Sequence, residues 1–340
     1  MPSPASIGYL MDLSVTIGKA RFPNPIMVAS GTFGYAQEME NVLDLSRVGA
    51  IVPKTITLHP RKGNRPPRTA ETPAGLLNSI GLDNDGVETF LAHHIPYLTG
   101  IGVPIVVSIA GKTVEEFAEL TRRLDGCPGI TALELNVSCP NVSGGVDFGA
   151  DAAMCRRVVE AVRAATILPV FVKLTPNVTD IVRIGLAAQE AGADALTAIN
   201  TCLGMAVDWR RRVPRLGNVL GGLSGPAIKP IALRAVYQLK QAVTIPIIGV
   251  GGIAGVDDCM EFFVVGADAV QIGTASFYRP NAVIEILDRL PDALRTLGAE
   301  RLSDVVGTFR TPGGLGKTCA AAVPSASDQA GVPSARSGNG

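Results

Sequence analysis

Apolar positions along the chain gather into eight short runs: Ile26–Ala29, Ala50–Val52, Pro104–Ile109, Ala132–Val137, Pro169–Leu174, Ala195–Ile199, Pro246–Val250 and Ala269–Ile272. They are apolar on both faces rather than alternating, as parallel strands covered by helices must be. Between them the spacing becomes helical. Val114–Leu124, Ala150–Ala165, Val178–Ala191, Ile228–Gln241, Val256–Val265 and Pro280–Leu290 predict helices, and the stretch from Asp180 to Ala188 places apolar residues at i, i+3 and i+4. Eight strand–helix repeats predict an α/β fold, a (β/α)8 TIM barrel, over residues 1–312. Periodicity leaves a doubly wound sheet as the alternative.

Two connections are longer than plain barrel loops. One runs from Lys54 to about Asn84 and carries Arg61, Lys62, Arg65, Arg68 and four prolines. The other runs from Asn200 to Gly225 and carries Arg210, Arg211, Arg212 and Arg215. Both leave the C-terminal ends of strands, the face where barrel enzymes hold their sites. They are expected to cap that face or to form a small antiparallel excursion; a solvated basic surface is the plainer reading. Residues 313–340 read as a tail, Ser/Ala/Gly/Pro-rich and disordered from about Val323.

Composition narrows the function classes. The 340 residues are 47% hydrophobic, ample for a large core. Thirty basic and thirty acidic side chains leave no net charge to attract nucleic acid or an anionic membrane. Six cysteines stand without C-x-x-C pairs, so neither a disulfide framework nor a zinc or iron–sulfur site is visible. A reducing, cytoplasmic location is expected. No signal peptide is apparent, and no apolar run is long enough to span a membrane.

The candidate chemistry lies at the strand ends. Glu134-Leu135-Asn136-Val137-Ser138-Cys139-Pro140-Asn141 runs out of a buried strand into a cysteine, and Gly144 and Gly145 follow in what reads as a mobile loop. Most intracellular cysteines are inert core residues, but a thiol at a strand end is placed to act on something held above the barrel. The other ends carry Ser30-Gly31-Thr32, Lys54-Thr55, Ser108, Lys173-Leu174-Thr175, Asn200-Thr201, Gly251-Gly252 and Gly273-Thr274. Glycines after the seventh and eighth strands let backbone N–H groups approach a phosphate; two tight turns are the plainer reading. Lys54 and Lys173 end buried-looking strands, where a bound anion or an electron-rich ring would compensate an ammonium. Lys173 as a Schiff-base nucleophile is the rival chemistry. Asn78, Asn136, Asn141 and Asn200 together suit a planar, amide-rich ligand, although singly each is an ordinary turn residue. Gly249-Val250-Gly251-Gly252 imitates a dinucleotide fingerprint but sits on the seventh strand. The stretch Gly313 to Thr318 imitates a P-loop, with Thr311 in place of its first glycine.

These motifs, in this order, resemble the class 1 dihydroorotate dehydrogenases over about residues 11 to 312. The resemblance rests on Ala29-Ser30-Gly31-Thr32-Phe33-Gly34, Lys54-Thr55-Ile56-Thr57, Asn78-Ser79-Ile80-Gly81-Leu82, Leu135 to Asn141, Lys173-Leu174-Thr175-Pro176, Gly249 to Ile253 and Gln271-Ile272-Gly273-Thr274. Lys54-Thr55-Ile56-Thr57, Gly63-Asn64-Arg65-Pro66-Pro67 and Asn141-Val142-Ser143-Gly144-Gly145 are most similar to the NAD-linked class 1B; the fumarate-linked class 1A and related dihydropyrimidine flavin oxidoreductases are the alternatives. The resemblance implies FMN over the barrel mouth, its phosphate on Gly251, Gly252, Gly273 and Thr274 with Gly225 nearby. Ser30, Lys54, Thr55, Asn136, Lys173 and Ile199 would line the flavin. Lys54, Asn78, Ser79, Ile80, Gly81, Leu82, Asn136, Asn200 and Thr201 would hold dihydroorotate, with Cys139 as catalytic base. It also implies a partner subunit carrying FAD and a [2Fe–2S] centre, two of each chain forming a heterotetramer. The chain departs from the family at Ser108, where a longer asparagine is usual.

Overall fold

In the computed structural model, which describes residues 11–138, 148–312 and 314–315, the first described elements form a hairpin that the apolar pattern does not predict. Strands β1 (Val15–Ile17) and β2 (Ala20–Phe22) pair antiparallel. The wall then begins with β3 (Ile26–Val28) and β4 (Ala50–Ile51). No α-helix joins them; two 3₁₀ turns, Gln37–Met39 and Leu45–Arg47, do. The first excursion supplies β5 (Thr69–Thr72) and β6 (Gly75–Asn78). The wall continues through β7 (Ile105–Ile109), β8 (Ile130–Asn136), β9 (Val170–Leu174) and β10 (Ala195–Ala198). The second excursion contains β11 (Cys202–Gly204), β12 (Val207–Asp208), β13 (Val213–Pro214) and β14 (Gly221–Ser224). β15 (Ile247–Val250) and β16 (Ala269–Ile272) complete the wall. The eight wall strands pair in parallel into a closed barrel in chain order, with β16 returning to β3. All eight runs read from the sequence are present, and the closed barrel excludes the doubly wound sheet.

Helices cover the wall because their apolar stripes are long enough to bury. Val114–Leu124 and Val256–Val265 have the bounds the sequence predicts. Short polar residues start several of them: Thr113 accepts from Glu116 N–H, Asp151 from Met154 N–H and Asp180 from Val182 and Arg183 N–H. The last barrel helix, Ala282–Thr296, overruns the predicted stop at Leu290 and passes through Pro291. Ile286, Leu290 and Leu294 keep one face buried across the proline, and that burial outweighs one lost backbone hydrogen bond.

Inside the barrel the side chains stack in layers. Met27, Val106, Phe171 and Ile248 pack with Ala50, Ala132, Ala195 and Ala269, and Ile17 and Phe22 of the hairpin close the floor beneath them. The alanines leave room for the two rings, whose centroids lie 6.4 Å apart. At the other end the two excursions combine into one antiparallel sheet of order β11-β14-β6-β5, with Leu77, Ala70 and Leu216 as its core. β12 and β13 form a separate hairpin. Among the described residues beyond Thr308, β17 (Arg310–Thr311) pairs antiparallel with β18 (Gly314–Leu315). No helix among the described residues is long and apolar enough to cross a membrane.

Candidate active site

Strand alternation turns the apolar floor into a polar layer two residues higher. Above Ala132, Phe171 and Ala269, on the same inward faces, stand Glu134, Lys173 and Gln271. Lys173 Nζ lies 3.2 Å from Glu134 Oε1, 3.1 Å from Gln271 Oε1 and 3.5 Å from Ser30 Oγ. Gln271 Nε2 donates to Glu134 Oε2 at 2.7 Å. Glu134 is fully buried, and Gln271 and Lys173 nearly so. A buried ammonium needs a counter-charge. The sequence leads one to expect it from a ligand; in the structure a carboxylate of the neighbouring strand supplies it. Each of the three ammonium hydrogens has an acceptor, so every donor of Lys173 is engaged by the protein itself.

Lys54 is the opposite case. Its side chain faces the cavity above the polar layer and has no hydrogen bond or ion pair among the described residues. Burial pushes its pKa below the ordinary lysine value; Asp83 opposes the shift and Arg68 adds to it. Such a cation is a ready partner for a ligand carboxylate. Beside it Thr55 Oγ1 and Ser108 Oγ are 2.9 Å apart and buried. Ser108 therefore fixes Thr55 and is not itself on the cavity wall.

The excursion loop is tied from behind. Asn64 Nδ2 donates to Ser79 Oγ at 2.8 Å, and Arg68 binds Asn64 O, Lys62 O and the Asp83 carboxylate, each within 2.7 Å. Gly81 and Leu82 take φ of 76° and 57°, so the chain from Asn78 to Leu82 wraps the cavity edge. Across it Asn200 Nδ2 donates to Asn136 Oδ1 at 3.2 Å, and Asn177 Nδ2 reaches Thr201 O at 3.1 Å. The Ala198–Ile199 peptide bond beneath them is cis.

Gly251 and Gly252, at φ 130° and 77°, form the far rim; a Cβ on Gly252 would sit 2.6 Å from Lys229 Cβ. Gly252, Gly273 and Thr274 direct N–H groups that find no backbone acceptor among the described residues. A Cβ on Gly273 would meet nothing closer than 3.5 Å, so the space beside it belongs to the cavity. Unpaired N–H groups around an open glycine fit a phosphate. Asp258 already takes the N–H groups of Ala254 and Gly255, which leaves the cradle to the residues before them.

Ser30, Lys54, Thr55, Asn78, Ser79, Ile80, Gly81, Leu82, Asn136, Lys173, Ile199, Asn200, Thr201, Gly225, Gly251, Gly252, Gly273 and Thr274 all line this one cavity, of about 680 Å³. That volume suits a cofactor-sized ligand. Cys139, Asn141, Gly144 and Gly145 lie outside the described residues; Ser138, just before them, is on the cavity wall. Asn177, Phe277 and Tyr278 also line it and are not named from the sequence; Gln271, Arg61 and Asn64, which line it too, appear there only within motifs or a loop and not as site residues. Glu134 was missed as well, although a carboxylate inside an apolar strand was a visible signal. A second cleft, between Asp151 and Ile184, holds two helix starts already capped by Asp151 and Asp180. Among the described residues no group of His, Cys, Asp and Glu could hold a metal ion.

A closed parallel barrel with a lysine-centred polar layer and a glycine cradle at the C-terminal mouth defines a (β/α)8-barrel enzyme. The chain belongs to the dihydroorotate dehydrogenase family, whose sequence model matches residues 12–294. A protein of Pelobacter propionicus named "Dihydroorotate dehydrogenase B (NAD(+)), catalytic subunit" is 50% identical over 299 residues, 88% of this chain and 98% of that protein. Proteins of the same name from Desulforamulus reducens and Desulforudis audaxviator are each 51% identical, over 87% and 88% of this chain and 98% of their own length.

Proposed function

We propose that this chain is the catalytic subunit of an NAD-linked dihydroorotate dehydrogenase, which oxidises dihydroorotate to orotate in de novo pyrimidine (UMP) synthesis in the cytoplasm. What carries the reading is the convergence on one cavity of a phosphate cradle, an unpaired lysine and a set of amides, in a chain half identical to relatives of that name. FMN bound at the mouth supplies the hydride-accepting chemistry. Gly251, Gly252, Gly273 and Thr274 bind its phosphate, with Gly225 beside them. Ser30, Lys54, Thr55, Asn136, Lys173 and Ile199 line its ring.

Lys54 binds the carboxylate of dihydroorotate. The Asn78–Leu82 loop, Asn136, Asn200 and Thr201 orient its amide-rich ring through directional hydrogen bonds. Cys139 takes the proton from ring carbon C5, for which its thiol must ionise. The same loop and the excursion sheet keep water from the reacting face.

Electrons leave through a second subunit carrying FAD and a [2Fe–2S] centre, in a heterotetramer of two subunits of each kind, with NAD as the final acceptor. The relatives' name, which specifies a catalytic subunit and NAD(+), supports this. So does the second excursion, which leaves Trp209, Leu203, Met205 and Val207 exposed beside Arg210, Arg211 and Arg212.

Purified under air, the protein is expected to be yellow, and anaerobic dihydroorotate should bleach its flavin bands. A colourless protein, or flavin bands that dihydroorotate leaves intact, would sink the assignment. The isolated chain should turn over with artificial acceptors and poorly with NAD; efficient NAD reduction by the lone chain would remove the partner from the scheme.

A further inference from the structure

We propose that Glu134, held in place by Gln271, sets how strongly Lys173 favours the reduced over the oxidised form of the bound flavin. Glu134 is a positioning and screening residue acting through the lysine, and it touches neither substrate nor reacting atoms. The inference rests on the flavin reading above.

Three observations lead to it. The ammonium and the carboxylate form one buried layer directly beneath the cavity, 3.2 Å apart. Gln271 spans the two, accepting from Lys173 Nζ and donating to Glu134 Oε2, so neither charge can swing away without losing a partner. The layer below is wholly apolar, so an ion pair is not what the barrel interior requires for packing. Well-packed apolar side chains are often at least as stable as a buried ion pair, which makes a retained pair a candidate for function.

The electrostatics give the sign. A flavin that takes up two electrons and one proton gains one negative charge. In a dry site that charge is attracted by Lys173 and repelled by Glu134. As a pair the two nearly cancel, and the carboxylate moderates a lysine that would otherwise stabilise the reduced form more strongly. Removing the carboxylate charge favours the reduced flavin.

The test measures two affinities on flavin-free protein: for oxidised FMN, and for FMN kept reduced by dithionite. In Glu134→Gln, which keeps the shape, the reduced-over-oxidised affinity ratio should rise roughly tenfold or more, a rise of about 30 mV in the two-electron midpoint potential. The exchanged double variant Glu134→Gln/Gln271→Glu returns a carboxylate to the lysine from the other side, and its ratio should return to within about threefold of wild type. A merely structural role would weaken both affinities together and leave the ratio alone. The proposal is overturned by an E134Q ratio that is unchanged or falls. It is also overturned by a double variant displaced from wild type, a measurement that stands even where E134Q alone does not fold. A wild-type protein that takes up no FMN overturns the flavin reading and this inference with it. Wild-type binding with an unmoved E134Q ratio overturns the inference alone.

Discussion

Asn200 Nδ2 donates to Asn136 Oδ1 at 3.2 Å, although β9 lies between the two strands that carry these residues to the mouth. The orientation is set by the chain itself, because Thr201 N–H donates to Asn200 Oδ1 at 2.8 Å and leaves the amino group to face Asn136. Two amides are thus held in fixed poses on one wall of the cavity. Asn200→Ala removes one and frees the other. A lost hydrogen bond in such a site costs about 1–3 kcal/mol. The KM for dihydroorotate is therefore expected to rise by roughly 5- to 150-fold while flavin content holds. Steady-state rates with an artificial acceptor, alongside the flavin spectrum, measure both; an unchanged KM would take these amides out of the substrate site.

Lys54 carries a pH signature. Burial lowers its pKa from the ordinary 10.5, so in the ligand-free protein it loses its proton earlier than a surface lysine does. A bound carboxylate favours the ammonium and raises the pKa again. Orotate affinity should therefore be constant below the lowered value and fall by about tenfold per pH unit above it. Lys54→Met should bind orotate weakly and lose this dependence. Equilibrium titrations from neutral pH to beyond the ordinary lysine value of 10.5 decide the matter, and a wild-type affinity flat across that range would disconnect Lys54 from the ligand carboxylate.

Cys139 is the proposed base, and its replacement separates chemistry from binding. Positioned proton transfer contributes about 10²- to 10⁴-fold to rate. Cys139→Ala should slow flavin reduction by dihydroorotate by roughly that factor, with FMN and orotate still bound. Rapid-mixing absorbance under anaerobic conditions reads the step directly. Near-normal reduction by the variant would assign the proton to another group.

How much of this was legible beforehand follows from what each residue shows locally. The wall strands were readable because a parallel strand buried on both faces is an apolar run whatever its neighbours are. Many of the residues that line the cavity were nameable because they lie at strand ends and carry chemistry by type, whereas Gly225 and Ile199 entered as site residues only through the family resemblance. The Val15–Phe22 hairpin escaped because three-residue strands give too short an alternation. An antiparallel excursion was expected of the long connections, but their union in one sheet was not, because Asn78 pairs with Gly222 and neither segment's own pattern reveals the other. The counter-charge of Lys173 escaped for a related reason. A glutamate inside an apolar strand announces a buried partner, but only closure of the barrel brings Glu134, Lys173 and Gln271 into contact.

The floor beneath this layer makes the last prediction. Phe171 is fully buried among Ala50, Ala132, Ala195 and Ala269, with Phe22 of the hairpin against it. Its alanine neighbours have no longer side chain to swing into a void, and Met27, Val106 and Ile248 are fixed on closed wall strands, so Phe171→Ala leaves a cavity that is only partly refilled. A loss of about 3–5 kcal/mol is expected, read from urea unfolding. Lys173 stands two residues further along the same inward face, and the void lies directly under it. The variant should therefore also weaken FMN binding, although Phe171 does not line the cavity. Phe171→Leu, which refills most of the volume, should recover the greater part of both effects. If stability falls while FMN affinity stays at the wild-type value, the polar layer keeps its geometry without support from below.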